Sequence, residues 1–183
     1  VMSGSASPVT AAQIDWAVVH GYAGLRLDTV QLLNPETGAD AMEKSVRDAL
    51  TALATGRSVV LYTAHGPDDP AISATRDAAQ RQGLGATATG RRVAEIQGQI
   101  LRRLLDETGL RRACVAGGDS SGHAARKLGI IALEVLIPIA PGSPLCRATT
   151  DTRTLDGLQI ALKGGQVGKE DFFESIRRGI AVA

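Results

Sequence analysis

Apolar positions along the chain follow two spacings, one typical of strands and one typical of helices. The run RSVVLYTA at residues 57–64 is rich in β-branched residues and predicts a buried parallel strand. Residues 90–108 place apolar side chains three and four positions apart, which predicts an amphipathic helix. Strands and helices of these kinds alternate along the chain. The pattern therefore predicts an α/β fold, a mostly parallel sheet with helices on both faces in a single domain, residues 1–183.

Shorter segments carry their own signals. Ser7 before Pro8 is typical of a helix start, because serine caps free N–H groups and proline is tolerated at the first helical position. Residues 22–30 predict a strand that leads into a loop ending at Gly38. Residues 169–180 predict a helix. The apolar residues of that helix are expected to face inward: Phe172, Phe173, Ile176 and Ile180.

Composition and charge exclude several classes of protein. The fractions of hydrophobic residues, 44%, and charged residues, 21%, are those of an ordinary globular domain. With 20 basic and 19 acidic residues the net charge is +1, so neither nucleic acid nor a membrane is an expected partner. Cys114 and Cys146 form no CxxC pair, which predicts buried, reduced thiols.

Targeting segments are not evident in the sequence. The most apolar run, residues 129–140, is interrupted by Glu134 and Pro138 and is too short to cross about 30 Å of hydrocarbon. Residues 1–10 lack the basic start and the long apolar stretch of a signal peptide. We therefore expect a cytoplasmic location.

Three glycine-containing turns follow apolar strands. Glycine lets the backbone approach a phosphate closely, and the free N–H groups at a helix start attract anions. Since the carboxyl ends of parallel strands meet at one edge of a sheet, the three turns are expected to meet at one phosphate-bearing ligand. The alternative is that each glycine only makes a βα turn. The turns are Ser3-Gly4-Ser5, Gly117-Gly118-Asp119-Ser120-Ser121-Gly122 and Lys163-Gly164-Gly165.

The central turn has the glycine spacing of a P-loop but lacks its other residues. His123 and Ala124 stand where a P-loop needs Lys and Ser or Thr, so this is not a Walker A site. Lys163, on a different turn, is a candidate for the missing phosphate-binding cation. The alternative reading of Lys163 is a solvated residue at the end of a strand.

The same turn also fits G-x-S-x-G, the pattern of a nucleophile elbow, with Ser120 as the nucleophile. An α/β-hydrolase places its triad in the order Ser, Asp or Glu, then His, but no histidine follows His123. A serine hydrolase is therefore the minor alternative.

No resident metal site is predicted, because the three histidines lack metal-ligand spacing. Mg²⁺ is expected only with a nucleotide, since it is commonly held by phosphates, water and few protein groups. Asp119 is the carboxylate best placed to reach it, and the alternative role of Asp119 is to cap the following helix.

Four segments carry a resemblance to a known family. In chain order they are SGSASPVTAAQI, VAGGDSSGHAARKLGI, PGSPLCRA and LQIALKGGQVGKEDFF. Together they resemble the C-terminal nucleotide-binding domain of the four-carbon acid sugar kinases, some of which are labelled Hrp-dependent type III effectors. The resemblance runs from residue 3 to about residue 178.

The resemblance implies a function and a set of contacts. Members of that family phosphorylate threonate, erythronate or 3-oxo-tetronate type acids, and the resemblance implies ATP contacts on the same three turns. It also implies that this chain is the C-terminal half of a two-domain kinase, inactive without the N-terminal sugar-acid domain, which these residues do not contain. The alternative is a non-catalytic module that senses a nucleotide or packs against a partner. The sequence leaves a homo-oligomer open and assigns no catalytic base.

Overall fold

Seven strands and seven helices make up the part of the chain that the computed structural model describes, residues 1–180. The strands are β1 (Met2–Ser3), β2 (Ala23–Arg26), β3 (Val59–Tyr62), β4 (Arg112–Ala116), β5 (Ile130–Ala140), β6 (Ser143–Thr150) and β7 (Gln159–Lys163). The helices are α1 (Pro8–Val19), α2 (Thr29–Leu33), α3 (Gly38–Ala54), α4 (Pro70–Arg81), α5 (Ala86–Thr108), α6 (Gly118–Lys127) and α7 (Phe172–Arg178).

All seven strands join one sheet in the order β2-β3-β1-β4-β7-β6-β5. The first five run parallel, whereas β6 is antiparallel to both β7 and β5. The predicted α/β fold with a mostly parallel sheet is therefore confirmed. The two-residue strand β1 lies in the middle of the parallel part.

Two hydrophobic cores lie on opposite faces of the sheet. Helices α1 and α7 cover one face, where Ile14 and Phe172 pack on inward residues of the central strands. Helices α2 to α6 cover the other, where Val46 and Ile100 belong to the larger core. The chain leaves β1 through α1 toward one face and leaves the neighbouring strand β4 through α6 toward the other. This divergence opens a crevice at the carboxyl ends of β1 and β4, the usual place for a ligand in such sheets.

Helix α2 lies in the segment for which the sequence predicts a loop, so that prediction is wrong. The carboxylate of Asp28 accepts a hydrogen bond from the N–H of Gln31 (3.1 Å) and caps the helix. Leu32 and Leu33 are then buried in the larger core. The helix has five residues, too few for apolar periodicity to reveal it.

Two further predictions need correction. The six-residue turn that begins at Gly117 is mostly helix, because α6 begins at Gly118. The sequence predicts that Ile180 faces inward, but the residue is 55% exposed. Gly179 ends α7 in the left-handed conformation (φ 68°), so Ile180 lies beyond the helix and outside its buried face.

The strand β5 is long and lies at the edge of the sheet. It forms a hairpin with β6, a strand that the sequence did not reveal, and its outer side pairs with no strand of the described chain. Three alternate residues of β5 are strongly exposed: Ile131 (71%), Leu133 (43%) and Val135 (60%). An apolar edge of this kind is unusual for a solvent-facing strand.

Both cysteines are free and buried, as predicted. Among the described residues, no helix combines the length and the apolar character needed to cross a membrane.

Glu174 on α7 gives the fold a defined dependence on pH. Hydrogen bonds from Arg177, then from Arg178 and from the hydroxyl of Tyr22, lower the pKa of Glu174 from 4.5 to about 2. A carboxylate with a depressed pKa stabilises the native state above its unfolded pKa, and this contribution is lost as pH falls toward about 2.

We therefore expect Glu174→Gln to lower the free energy of unfolding at pH 7 by about 1 to 3 kcal/mol and to flatten its fall between pH 4.5 and 2. Urea denaturation at several pH values measures both effects. The exposed Glu170 supplies the control, Glu170→Gln, which should leave the profile unchanged. A parallel loss of stability at every pH would contradict the assignment to charge.

Candidate functional site

The three glycine turns lie side by side at the carboxyl edge of the sheet. They follow β1, β4 and β7, which are adjacent strands. The N–H of Gly4 donates to the carbonyl of Ala116 (2.8 Å), and the N–H of Gly117 donates to the carbonyl of Lys163 (2.9 Å). The first and second turns are thus each hydrogen-bonded to the end of the next strand. The structure brings together the three turns that the sequence singled out.

Side chains would not fit where the turns approach one another at Gly117 and at Gly165. Gly117 has φ 118°, and a Cβ there would lie 3.3 Å from the carbonyl carbon of Gly4. A Cβ on Gly165 would lie 2.5 Å from Ser5 Oγ and 3.1 Å from Ser7 Cβ. Backbone therefore meets backbone across the first and second turns, and the third turn packs directly on the serines of the first.

Helix α6 presents an open N-terminus beside these turns. Its N-cap is Gly117, which has no side chain to accept a hydrogen bond from the helix. Ser121 is the first residue whose N–H bonds back to Gly117 (2.9 Å), so the N–H groups of Gly118, Asp119 and Ser120 precede the helical ladder. Gly118 and Asp119 are exposed. Free donors and the positive end of a helix dipole together favour an anion at a helix start of this kind.

The N-terminus of α1 differs, because the chain itself satisfies it. Ser7 is the N-cap with Pro8 at the first position, as the sequence predicted, and Ser7 Oγ accepts from the N–H of Val9 (3.1 Å). Ser5 Oγ accepts from the N–H of Ser7 (3.2 Å), and Ser3 Oγ accepts from the N–H of Ser5 (3.4 Å). The serines of the opening therefore hold the shape of the first turn, and Ser3 and Ser5 are buried.

Gln97 on α5 joins the first two turns, and the sequence pattern did not reveal it. Its side chain is 1% exposed; Nε2 donates to the carbonyl of Ser3 (2.9 Å), and Oε1 accepts from Ser120 Oγ (2.8 Å). A Cβ on Gly4 would overlap the Ser120 hydroxyl and lie 2.6 Å from Gln97 Oε1. A polar residue between Ile96 and Ile100 in an otherwise apolar stripe was the signal that could have revealed it.

This hydrogen bond bears on the serine hydrolase alternative. Ser120 is buried, and its hydroxyl donates to an amide oxygen rather than to a base. No non-glycine residue of the described chain has a positive φ, so the strained backbone of a nucleophile elbow is also missing from residues 1–180. The geometry gives Ser120 no means of activation.

Lys163 is buried beneath the third turn, so its interpretation as a solvated strand end is wrong. Its side chain is 1% exposed. The ammonium donates to Thr10 Oγ1 (3.1 Å) and to the carbonyl of Gly165 (3.4 Å). Burial lowers the pKa of Lys163 from 10.5 to about 8. Thr10 Oγ1 also donates to the carbonyl of Gly165 (2.8 Å), which ties α1 to the turn.

Gln13 on α1 holds the loop that follows the third turn, and it too was missed. Its buried Nε2 donates to the carbonyls of Val167 (3.0 Å), Gly168 (3.2 Å) and Lys169 (2.9 Å). Thr10 and Gln13 lie one helical turn apart on α1, in a helix whose other buried residues include Ile14 and Ala17. Buried polar residues on an apolar helix face therefore fix the backbone of the site.

The surface of the crevice is mostly backbone. Gly4, Gly118, Asp119 and Gly164 are exposed, whereas Ser121 and Gly165 are half-buried. Gly164 does not have the positive φ that the left-handed region requires, and a Cβ there would meet Val167 Cγ2 at an ordinary 3.6 Å.

A cleft of about 920 Å³ lies at the opposite, amino ends of the strands. None of the predicted site residues lines it. Among the described residues, no cluster of three or more His, Cys, Asp or Glu side chains could hold a metal ion.

The chain matches known proteins over nearly its whole length. The family model described as "Nucleotide-binding C-terminal domain" matches residues 1–173. The 3-oxo-isoapionate kinase of Paraburkholderia graminis is 47% identical over 97% of this chain and 38% of its own length. The 3-oxo-tetronate kinase of Cupriavidus necator is 35% identical over 97% of this chain and 37% of its own length.

A solved structure shows the same fold. The crystal structure of a Haemophilus influenzae protein superposes with a TM-score of 0.75 and 25% identity, over 97% of this chain and 39% of that one. The chain thus spans well under half the length of the relatives it matches. It belongs to the nucleotide-binding C-terminal domain family of the four-carbon acid sugar kinases.

Proposed function

We propose that this chain is the ATP-binding domain of a kinase that phosphorylates a small sugar acid of the threonate, erythronate or 3-oxo-tetronate type. The open N-terminus of α6, set between two other glycine turns, carries the proposal. The names of two relatives of this chain, 3-oxo-tetronate kinase and 3-oxo-isoapionate kinase, agree with that chemistry. The sugar acid would be bound by residues outside this chain.

In this proposal the phosphates of ATP lie across the crevice between β1 and β4. The N–H groups of Gly118, Asp119 and Ser120 would donate to phosphate oxygens at the α6 N-terminus. The exposed backbone of Gly4 and Gly164 would form the walls on either side, where the absence of side chains allows close approach.

Mg²⁺ would enter with the nucleotide. Asp119 is exposed in the first turn of α6 and could offer one carboxylate. This fits an ion that is usually held by one or two carboxylates together with phosphates and water. When bound, the ion would neutralise charge on the phosphates.

The residues of this chain would contribute mainly position and charge. Phosphoryl transfer depends on holding the reacting groups in line and stabilising charge on the phosphate, with little covalent work by the protein. The fixed backbone of the three turns meets the first need, and the oriented N–H groups of α6 meet the second.

If the proposal holds, ATP with Mg²⁺ will bind the 183-residue chain and raise its melting temperature. At about 100 times Kd a ligand stabilises the native state by about 2.7 kcal/mol. For a domain of this size that corresponds to roughly 5 to 10 °C. Differential scanning fluorimetry with ATP, ADP and adenosine measures the effect. The absence of a shift at millimolar ATP would favour an interaction module, and a selective response to another phosphate ligand would favour a sensor.

Gly164→Val tests the exposed wall of the site. The backbone conformation at Gly164 is open to any residue and its Cβ has room, so the variant should fold normally. The new side chain would occupy the space proposed for the phosphates and should raise the Kd for ATP about tenfold. Calorimetry measures it. Gly90→Val, an exposed glycine on α5 with open space around it, is the matched control. Unchanged affinity in a folded Gly164→Val protein would remove the third turn from the site.

A further inference from the structure

The ammonium of Lys163 is a buried positive charge without an anionic partner. Its two hydrogen-bond acceptors, the Thr10 hydroxyl and the Gly165 carbonyl, are neutral. The rings of Phe172 and Phe173 lie 5.8 Å and 5.9 Å from Nζ. None of the ion pairs formed within residues 1–180 includes Lys163.

The ionisable group beside Lys163 does not supply the missing charge. This group is the Cys114 thiol on β4, and burial raises its pKa to about 11, so it is neutral at pH 7. The elements that pack on the ammonium, α1 and α7, present Thr10 and the two phenylalanines to it. A cation kept in such a place costs free energy that its hydrogen bonds only partly offset.

The cost of burying this charge makes the stability of the native state depend on pH. Because the pKa of Lys163 is lowered to about 8, the unfolded chain binds its proton more tightly than the native chain does. The charge therefore destabilises the ligand-free native state at pH 7, and stability recovers as pH rises through about 8 toward 10.5. A lysine that served only the fold would be better replaced by an apolar residue of similar length.

The position of Lys163 indicates what the charge is for. Lys163 ends β7, its carbonyl accepts from Gly117 of the second turn, and its ammonium binds the carbonyl of Gly165 in the third. We propose that Lys163 is a buried positioning cation. A polyphosphate bound on the glycine turns neutralises its charge, and its ammonium holds the third turn in place through the carbonyl of Gly165. This inference rests on the proposed function, and it assigns the lysine an action through the turn rather than direct contact with the ligand.

Lys163→Met separates a charge kept for ligand binding from one kept for structure. The variant preserves length and apolar stem but removes the charge. We expect its melting temperature to equal or exceed that of the parent, while the Kd for ATP and for inorganic tripolyphosphate rises about tenfold, the affinity linked to a shift of one pKa unit. The Kd for AMP, which carries less charge, should rise about threefold or less. Lys163→Arg, which keeps the charge, should retain more affinity than Lys163→Met.

Lys44→Met, at an exposed lysine of α3, is the control and should change neither property. A loss of stability in Lys163→Met with equal weakening of AMP and ATP would overturn the proposal, as would unchanged affinity.

A measurement on the parent protein covers the case in which Lys163→Met does not fold. Nuclear magnetic resonance of the lysine ε-methylene groups follows the pKa of Lys163 with and without tripolyphosphate. An increase of about one unit on binding supports the proposal, and no increase contradicts it. Tripolyphosphate also separates the two hypotheses. If the chain binds tripolyphosphate but not ATP, the nucleotide function is refuted and the role of Lys163 can still be tested. If it binds neither ligand, both the nucleotide function and the role of Lys163 are refuted.

Discussion

The contact of backbone with backbone where β1 and β4 end is the constraint on which the rest of the site depends. Gly117 reaches Gly4 only because neither has a side chain, and its φ of 118° directs the chain into α6. Once these two turns touch, the α6 N-terminus must open into the crevice. Gln97 then fixes their spacing through hydrogen bonds to Ser3 and Ser120. The contact between these two turns thus determines the direction in which the N–H groups at the start of α6 point.

The sequence predicted the parts of the fold that depend on local pattern. Strand β3 and helix α5 follow from apolar spacing, and the three turns follow from glycines placed after strands, because parallel strand ends share an edge. The Ser7-Pro8 helix start was also predicted, since capping depends on adjacent residues. These features need no knowledge of distant contacts.

The features that the sequence did not reveal depend on partners far along the chain. Thr10 and Gln13 contact residues about 155 positions away, and Gln97 contacts Ser3 across 94 positions. Lys163 gave no sign of its burial, because a lysine next to glycines usually faces solvent. Strand β6 was missed because its proline and serine obscure the alternation of apolar residues and its direction is set by pairing with β5 and β7. Long-range pairing, rather than local propensity, decides these positions.

Only a short strand separates the two hydrophobic cores at the centre of the sheet. The central strand β1 has two residues, yet α1 packs on one side of the sheet and α6 on the other. A ligand bound across the ends of β1 and β4 would connect the helices on one face of the sheet to those on the other. Its effect on hydrogen exchange would then spread from the crevice into helices on both faces, so that amides far from any ligand contact would report its arrival.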